Sequence, residues 1–114
     1  MIAGIGTDIV QIDRLNEQLA IKILAKEEIE LYHGFLAPSR KQEFLAGRFA
    51  AKEALIKALG ERQQGLGFID IAILNDGSGK PRVVKPELPG LKVWLSLAHE
   101  RDYAVAVCVL ETTE

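Results

Sequence analysis

FLAGRFAAKEALIKALG, residues Phe44–Gly60, reads as a helix that is apolar almost all the way round yet carries Arg48, Lys52, Glu53 and Lys57. Such a helix belongs in an interior or an interface. Charges are rarely fully buried there unless they are paired or hold something. With Arg48 set at 0° and about 100° per residue, Lys52 falls near ~40°, Glu53 near ~140° and Lys57 near ~180°. Two cations therefore leave one apolar face, and a Glu/Lys pair leaves roughly the other. Gly47, Ala50, Ala51 and Ala54 beside them leave room for a bound group or a second chain. Plainer uses stand next to that reading. Glu53 and Lys57 are spaced as an i,i+4 pair worth about 0.2–0.5 kcal/mol, and Arg48 and Lys52 have stems long enough to carry their charges to water.

Working outward, Ser39 is a plausible N-cap and Gly60 a stop, which predicts a helix over Ser39–Leu59. Leu15 to Phe35 has helical composition in two pieces, closed by Gly34 and Pro38. The opening segment predicts a strand over Ile2–Ile12, with Ile2, Gly4, Gly6, Asp8 and Val10 on one face and Ala3, Ile5, Thr7 and Ile9 on the other. Beyond the polar loop Glu61–Gly67, strands are predicted over Phe68–Leu74 and Lys80–Lys85, around an Asn75–Gly79 turn. Two more, Leu91–Leu97 and Tyr103–Leu110, are joined by His99-Glu-Arg-Asp. The last strand is apolar on both faces, so it is expected to be central and covered on both sides. These elements predict one α+β domain over 1–114, a mainly antiparallel sheet packed on a long helix.

The 114 residues carry a formal net charge of −2 and 48% hydrophobic residues. That is enough apolar material for a core, and it gives no global reason to expect nucleic acid or an anionic membrane as partner. Cys108 is the only cysteine and lies inside YAVAVCVL, so a buried structural thiol in a reducing compartment is expected. MIAGIGTDIV has no basic n-region, and no apolar run reaches the roughly 20 residues of a membrane helix. A cytoplasmic protein is expected.

Asp8 is oddly placed in mid-strand, on the face cleared by Gly4 and Gly6; otherwise the strand ends at Thr7 and Asp8 caps a turn. Taken with Glu53 it points to Mg²⁺, which is held by one or two carboxylates and completes its shell with water and substrate phosphates. Two histidines, His33 and His99, and one buried Cys give soft metals no support. Ser96 and His99 lack a nucleophile elbow, and His99 is better used beside a phosphate. Lys80 and Arg82 in GSGKPR are possible anion donors or simply solvated turn residues. That stretch lacks P-loop spacing.

These stretches resemble the holo-acyl-carrier-protein synthase family, the small bacterial 4′-phosphopantetheinyl transferases. MIAGIGTDIVQIDRL is similar to the family's opening segment, EFLAGRFAAKEALIKALG to its signature helix, FIDIAILNDGSGKP to its middle hairpin and WLSLAHERDYAVAVCVLE to its C-terminal hairpin. The F-x-x-K-E-A helix with an upstream G-x-D is the specific part. The resemblance implies a single phosphopantetheinyl transferase domain that moves the phosphopantetheine arm of coenzyme A to a serine of acyl carrier protein in fatty acid biosynthesis, releasing 3′,5′-ADP. It implies Asp8 and Glu53 around Mg²⁺, and Arg48, Lys52, Lys57 and His99 on phosphates. Lys80 and Pro81 would lie near the nucleotide, and Asp8, Glu53 and Lys57 would form the catalytic group. It also implies a homotrimer with sites at subunit interfaces, which would cover the apolar helix. Arg14, with Lys22 from what remains of a basic segment, would face the carrier. The chain departs from the family in a short Arg14–Lys22 stretch and in Glu61-Arg62-Gln63-Gln64, where a Thr-Gly-rich turn is usual. A coenzyme A- or carrier-binding module without turnover is the rival reading.

Overall fold

The predicted first strand forms as β1 (Ile2–Gln11), and Asp8 does lie within it, opposite Ala106. A short 3₁₀ turn leads to α1 (Glu17–Ile23) and α2 (Lys26–Gly34). The long helix is α3 (Pro38–Leu59), followed by β2 (Ala72–Asn75), β3 (Pro81–Lys85), β4 (Leu91–His99) and β5 (Tyr103–Thr112). This is a computed structural model, and it describes residues 1–113.

The helix starts one residue before Ser39, at Pro38, and no side chain caps it. Proline suits that first position because its fixed φ matches a helix and its missing N–H would have had no partner. Gly60 ends the helix with φ +56°, a left-handed value that a side chain disfavours. The predicted strand at Phe68 begins later. Phe68–Asp70 winds as a 3₁₀ turn because Asp70 turns back to accept the Gly67 N–H at 2.9 Å.

The main sheet is antiparallel in the order β1-β5-β4, and β2 and β3 form a separate antiparallel hairpin. One face of the main sheet packs on α3. Ala104, Ala106, Cys108 and Leu110 of β5 are buried there with Leu45, Ala50, Ala54, Leu55, Ala58 and Leu59 of the helix. The approach is unusually close along β1. A methyl group on Gly4 would lie 2.1 Å from the Ala58 carbonyl oxygen, and one on Gly6 would lie 2.1 Å from that of Ala54.

Two expectations need correction. β5 is central, but it is covered on one side only; Val105 and Val107 on its outer face are exposed beside Ile5, Ile9 and Trp94. The apolar faces of α3 are spent inside the same chain. The apolar surface left uncovered is therefore the outer face of the sheet, not the helix.

Candidate active site

Gly4 abuts Ala58 and Gly6 abuts Ala54. Each two-residue step along β1, about 6.6 Å, thus matches one turn back along α3, about 5.4 Å. Asp8 is the next residue on that face, which brings it level with the turn that carries Glu53. Lys57, one turn beyond Glu53, donates to the Thr7 carbonyl at 3.0 Å and to Asp8 Oδ1 at 3.3 Å. Lys57 therefore pairs with Asp8 rather than with Glu53, and among the described residues Glu53 enters no ion pair.

The other Asp8 oxygen, Oδ2, is buried and has no hydrogen-bond partner. A buried unpaired acceptor is costly, and a carboxylate oxygen left in that state fits a cation. No group of three or more His, Cys, Asp or Glu that could hold a metal exists among the described residues. A metal at Asp8 and Glu53 would have to draw its remaining ligands from water and substrate, as magnesium does.

The expectation that Lys52 neutralises a phosphate is not met. Lys52 is fully buried, and its amine donates to Glu28 Oε1 at 2.5 Å, to the Ile23 carbonyl at 2.7 Å and to the Phe68 carbonyl at 3.0 Å. An ammonium has three donors, and all three are used. Burial lowers its proton affinity, and the adjacent Glu28 carboxylate opposes that. Arg48 is also buried, not run out to water. Its Nε donates to the Ile73 carbonyl at 2.9 Å, and the guanidinium lies 4.5 Å from the centre of the Phe44 ring. One side of Arg48 still borders a cleft.

That cleft, of about 390 Å³, is lined by Arg48, Gly47, Phe44, Gly79, Pro81 and His99, among others. It brings together three of the residues expected around a nucleotide: Arg48, Pro81 and His99. Lys80 is exposed and does not line it; its amine lies 6.0 Å from the Trp94 ring centre. Arg82 pairs through Nε with Asp76 at 2.9 Å and does not line the cleft. Asp76 also accepts from Ser78 Oγ at 2.7 Å and from the Lys80 N–H at 3.0 Å. Ser78 and Arg82 hold its carboxyl well below the usual carboxylate range. Asp76 thereby shapes the Gly79–Pro81 wall. Asp76→Ala is expected to weaken anion binding in this cleft roughly fivefold, the worth of about one hydrogen bond, and calorimetry with inorganic pyrophosphate would check it.

The sheet register joins the cleft to the carboxylates. Asp8, Ala106 and Leu97 stand in one row across three strands, so Asp8 is about 10 Å from Leu97 in the cleft wall. Ser96 and His99, three residues apart on β4, start on opposite faces of the strand, which leaves no serine–histidine pair. Arg14 and Lys22 meet at a second, mostly apolar groove of about 280 Å³ with Leu19, Phe49 and Phe68. Sequence reading missed Glu28. The signal was there: Glu28 shares a helical face with buried Ala25 and Tyr32, an unusual place for a carboxylate.

A basic cleft beside two carboxylates, on a sheet crossed by one long helix, defines a class that handles phosphorylated substrates. The sequence profile of the 4′-phosphopantetheinyl transferase superfamily matches residues 4–108. Holo-[acyl-carrier-protein] synthase from Geobacillus sp. (strain WCH70) is 45% identical, over 97% of this chain and 98% of its own. The synthase from Bacillus subtilis (strain 168) is 42% identical, over 97% of each chain. A holo-(acyl-carrier-protein) synthase from Bacillus anthracis, solved in complex with CoA (3′,5′-ADP), superposes with a TM-score of 0.88 at 40% identity, over 99% of both chains. The chain belongs to the holo-acyl-carrier-protein synthase family of that superfamily.

Proposed function

We propose that this chain, as one transferase domain over 1–114, moves the 4′-phosphopantetheine of coenzyme A to a serine of acyl carrier protein and releases 3′,5′-ADP. Apo-carrier becomes holo-carrier. The carrying observation is the orphaned Oδ2 of Asp8, level with the turn that carries Glu53 and in one sheet row with Leu97 of the Arg48–His99 cleft. Asp8 and Glu53 would hold Mg²⁺, which when bound supplies charge neutralisation at the pyrophosphate.

The rest falls to the chain and its partner. The carrier serine oxygen attacks the phosphorus that bears the pantetheine arm, and the bond from that phosphorus to the 3′,5′-ADP oxygen breaks. Such transfers need alignment and charge stabilisation more than covalent help. Lys57 has one donor beyond its two bonds, free for a phosphate oxygen. Arg48 and His99 hold the nucleotide end, and Glu53 takes the serine proton through water.

Arg14 and Lys22 flank the groove where an acidic carrier would dock. Arg14→Glu is expected to raise the KM for carrier about tenfold at low salt and less at high salt, with the KM for coenzyme A unmoved. Kinetics at two ionic strengths would check it. We place the reaction in the cytoplasm and in fatty acid biosynthesis; no helix among the described residues is long and apolar enough to cross a membrane.

We read the assembly as a homotrimer, supported by the uncovered sheet face, where Ile5 is 69% and Ile9 64% exposed. Closed rings bury such faces. A groove lined by Ile9, Ala98, His99 and Tyr103 joins that face to the His99 end of the cleft, so a neighbouring subunit would border the site. Val107→Glu is expected to convert trimer to monomer in light scattering; a retained trimer would remove this face from the interface.

The decisive experiment is mass spectrometry of apo-carrier incubated with the protein, coenzyme A and Mg²⁺. A phosphopantetheine-sized gain is expected. No gain across several carriers would sink the reading, and coenzyme A binding without gain would mark a silent binding module.

A further inference from the structure

We propose that Glu28, which does not line the nucleotide cleft, is a positioning residue for it, fixing the direction in which Arg48 presents its guanidinium. The proposal rests on the nucleotide reading of the cleft. Glu28 is fully buried at the meeting of α2, α3 and β2. Its Oε1 accepts from the Ala25 N–H at 2.8 Å and from Lys52 Nζ at 2.5 Å. Its Oε2 accepts from the Ile73 N–H at 2.8 Å and lies 3.8 Å from Arg48 Nε. Ile73 is therefore held at both ends: its N–H is taken by Glu28, and its carbonyl receives Arg48 Nε at 2.9 Å. Two residues on, the Asn75 side-chain oxygen lies 3.5 Å from Arg48 Nη2. With Nε committed inward and Phe44 against the guanidinium plane, the terminal nitrogens are what Arg48 can offer the cleft.

Charge follows from the same contacts. Arg48 and Lys52 stand one helical turn apart and both are buried, so the Glu28 carboxylate also offsets their mutual repulsion inside the fold. Burial lowers the proton affinity of both, and Glu28 raises it again. The guanidinium keeps its charge in any case, so what Glu28 supplies to the cleft is the direction of that charge, through Ile73. Lys52, with all three donors committed inside the fold, balances Glu28 there and does not reach the cleft.

A merely structural Glu28 would serve only to neutralise Lys52, and the two roles separate experimentally. In Glu28→Gln, the KM for coenzyme A and the Kd for 3′,5′-ADP are expected to rise about tenfold, the usual size for a supporting partner of a binding group. The kcat at saturating coenzyme A should stay within about twofold of the parent. In the double variant Glu28→Gln/Lys52→Met the buried charge pair is gone, and thermal stability should return towards the parent. The raised KM and Kd should remain. Unchanged KM and Kd in the single variant, or their recovery along with stability in the double variant, would overturn the proposal. Should neither variant fold, Glu28→Asp decides in the same way, since it keeps the charge but withdraws it by one methylene. Calorimetry with 3′,5′-ADP on the parent protein keeps the two ideas apart. Nucleotide binding without transfer to any carrier would sink only the transferase reading, whereas absence of nucleotide binding would sink both.

Discussion

Asp8→Asn is expected to cut phosphopantetheine transfer by on the order of a hundredfold to a thousandfold, the loss typical of removing a preorganised electrostatic element. The substitution is nearly isosteric, so the strand and its register opposite Ala106 should be kept. What disappears is the charge on a carboxylate whose Oδ2 has no partner within the chain. The Asp8–Lys57 pair is lost as well, but Lys57 is largely exposed, and such pairs are worth about 0–1 kcal/mol. Activity should therefore collapse while the melting temperature barely moves. Single-turnover transfer followed by mass spectrometry, with a parallel melt, reads both. Transfer within threefold of the parent would remove Asp8 from the chemistry. Retention of divalent-ion binding in the variant, by calorimetry, would remove it from the metal site.

Gly6→Ala is expected to do the reverse and act on the fold. Its methyl would meet the Ala54 carbonyl oxygen at 2.1 Å and the Ala58 backbone nitrogen at 2.8 Å. Both are backbone atoms in the last two turns of α3, so no side-chain rotation relieves the clash. α3 must lift from β1, at a cost of about 3 kcal/mol, the upper end for overpacked cores. That corresponds to a fall of roughly 10 °C or more in melting temperature. Thermal unfolding by circular dichroism would measure it, and a shift under 2 °C would show that the helix–strand contact is looser than described. Because the same contact sets Asp8 against the turn that carries Glu53, residual folded protein should also lose activity.

Much of this was readable in the chain. The five strands and the long helix followed from period, Gly and Pro punctuation and the Asn75–Gly79 turn, and Asp8 stood out because strands disfavour aspartate. Boundaries slipped where local chemistry outweighed pattern, as at Pro38 and at the Asp70 turn. Partners were the harder part. Helical angles placed Arg48 and Lys52 on one face but could not say that Glu28, 24 residues before Lys52, closes on them. The i,i+4 spacing offered Glu53 to Lys57, yet Asp8, 49 residues away, receives it. Periodicity assigns a side chain to a face; only the packed fold decides what meets it. The uncovered outer face of β5 was hidden for the same reason, since an apolar strand reads alike whether its second cover is its own chain or another.

β1 and β4 form no ladder with each other; each pairs only with β5. Of these elements β5 is made last, and it supplies none of the proposed site residues. The carboxylate on β1 and the histidine at the end of β4 are thus joined through the sheet only when β5 pairs between them. A chain still emerging from the ribosome would hold nearly all the site's side chains without the sheet that joins them. Such late, long-range pairing slows folding, and it leaves the two ends of the site unjoined by the sheet until the last strand is in place.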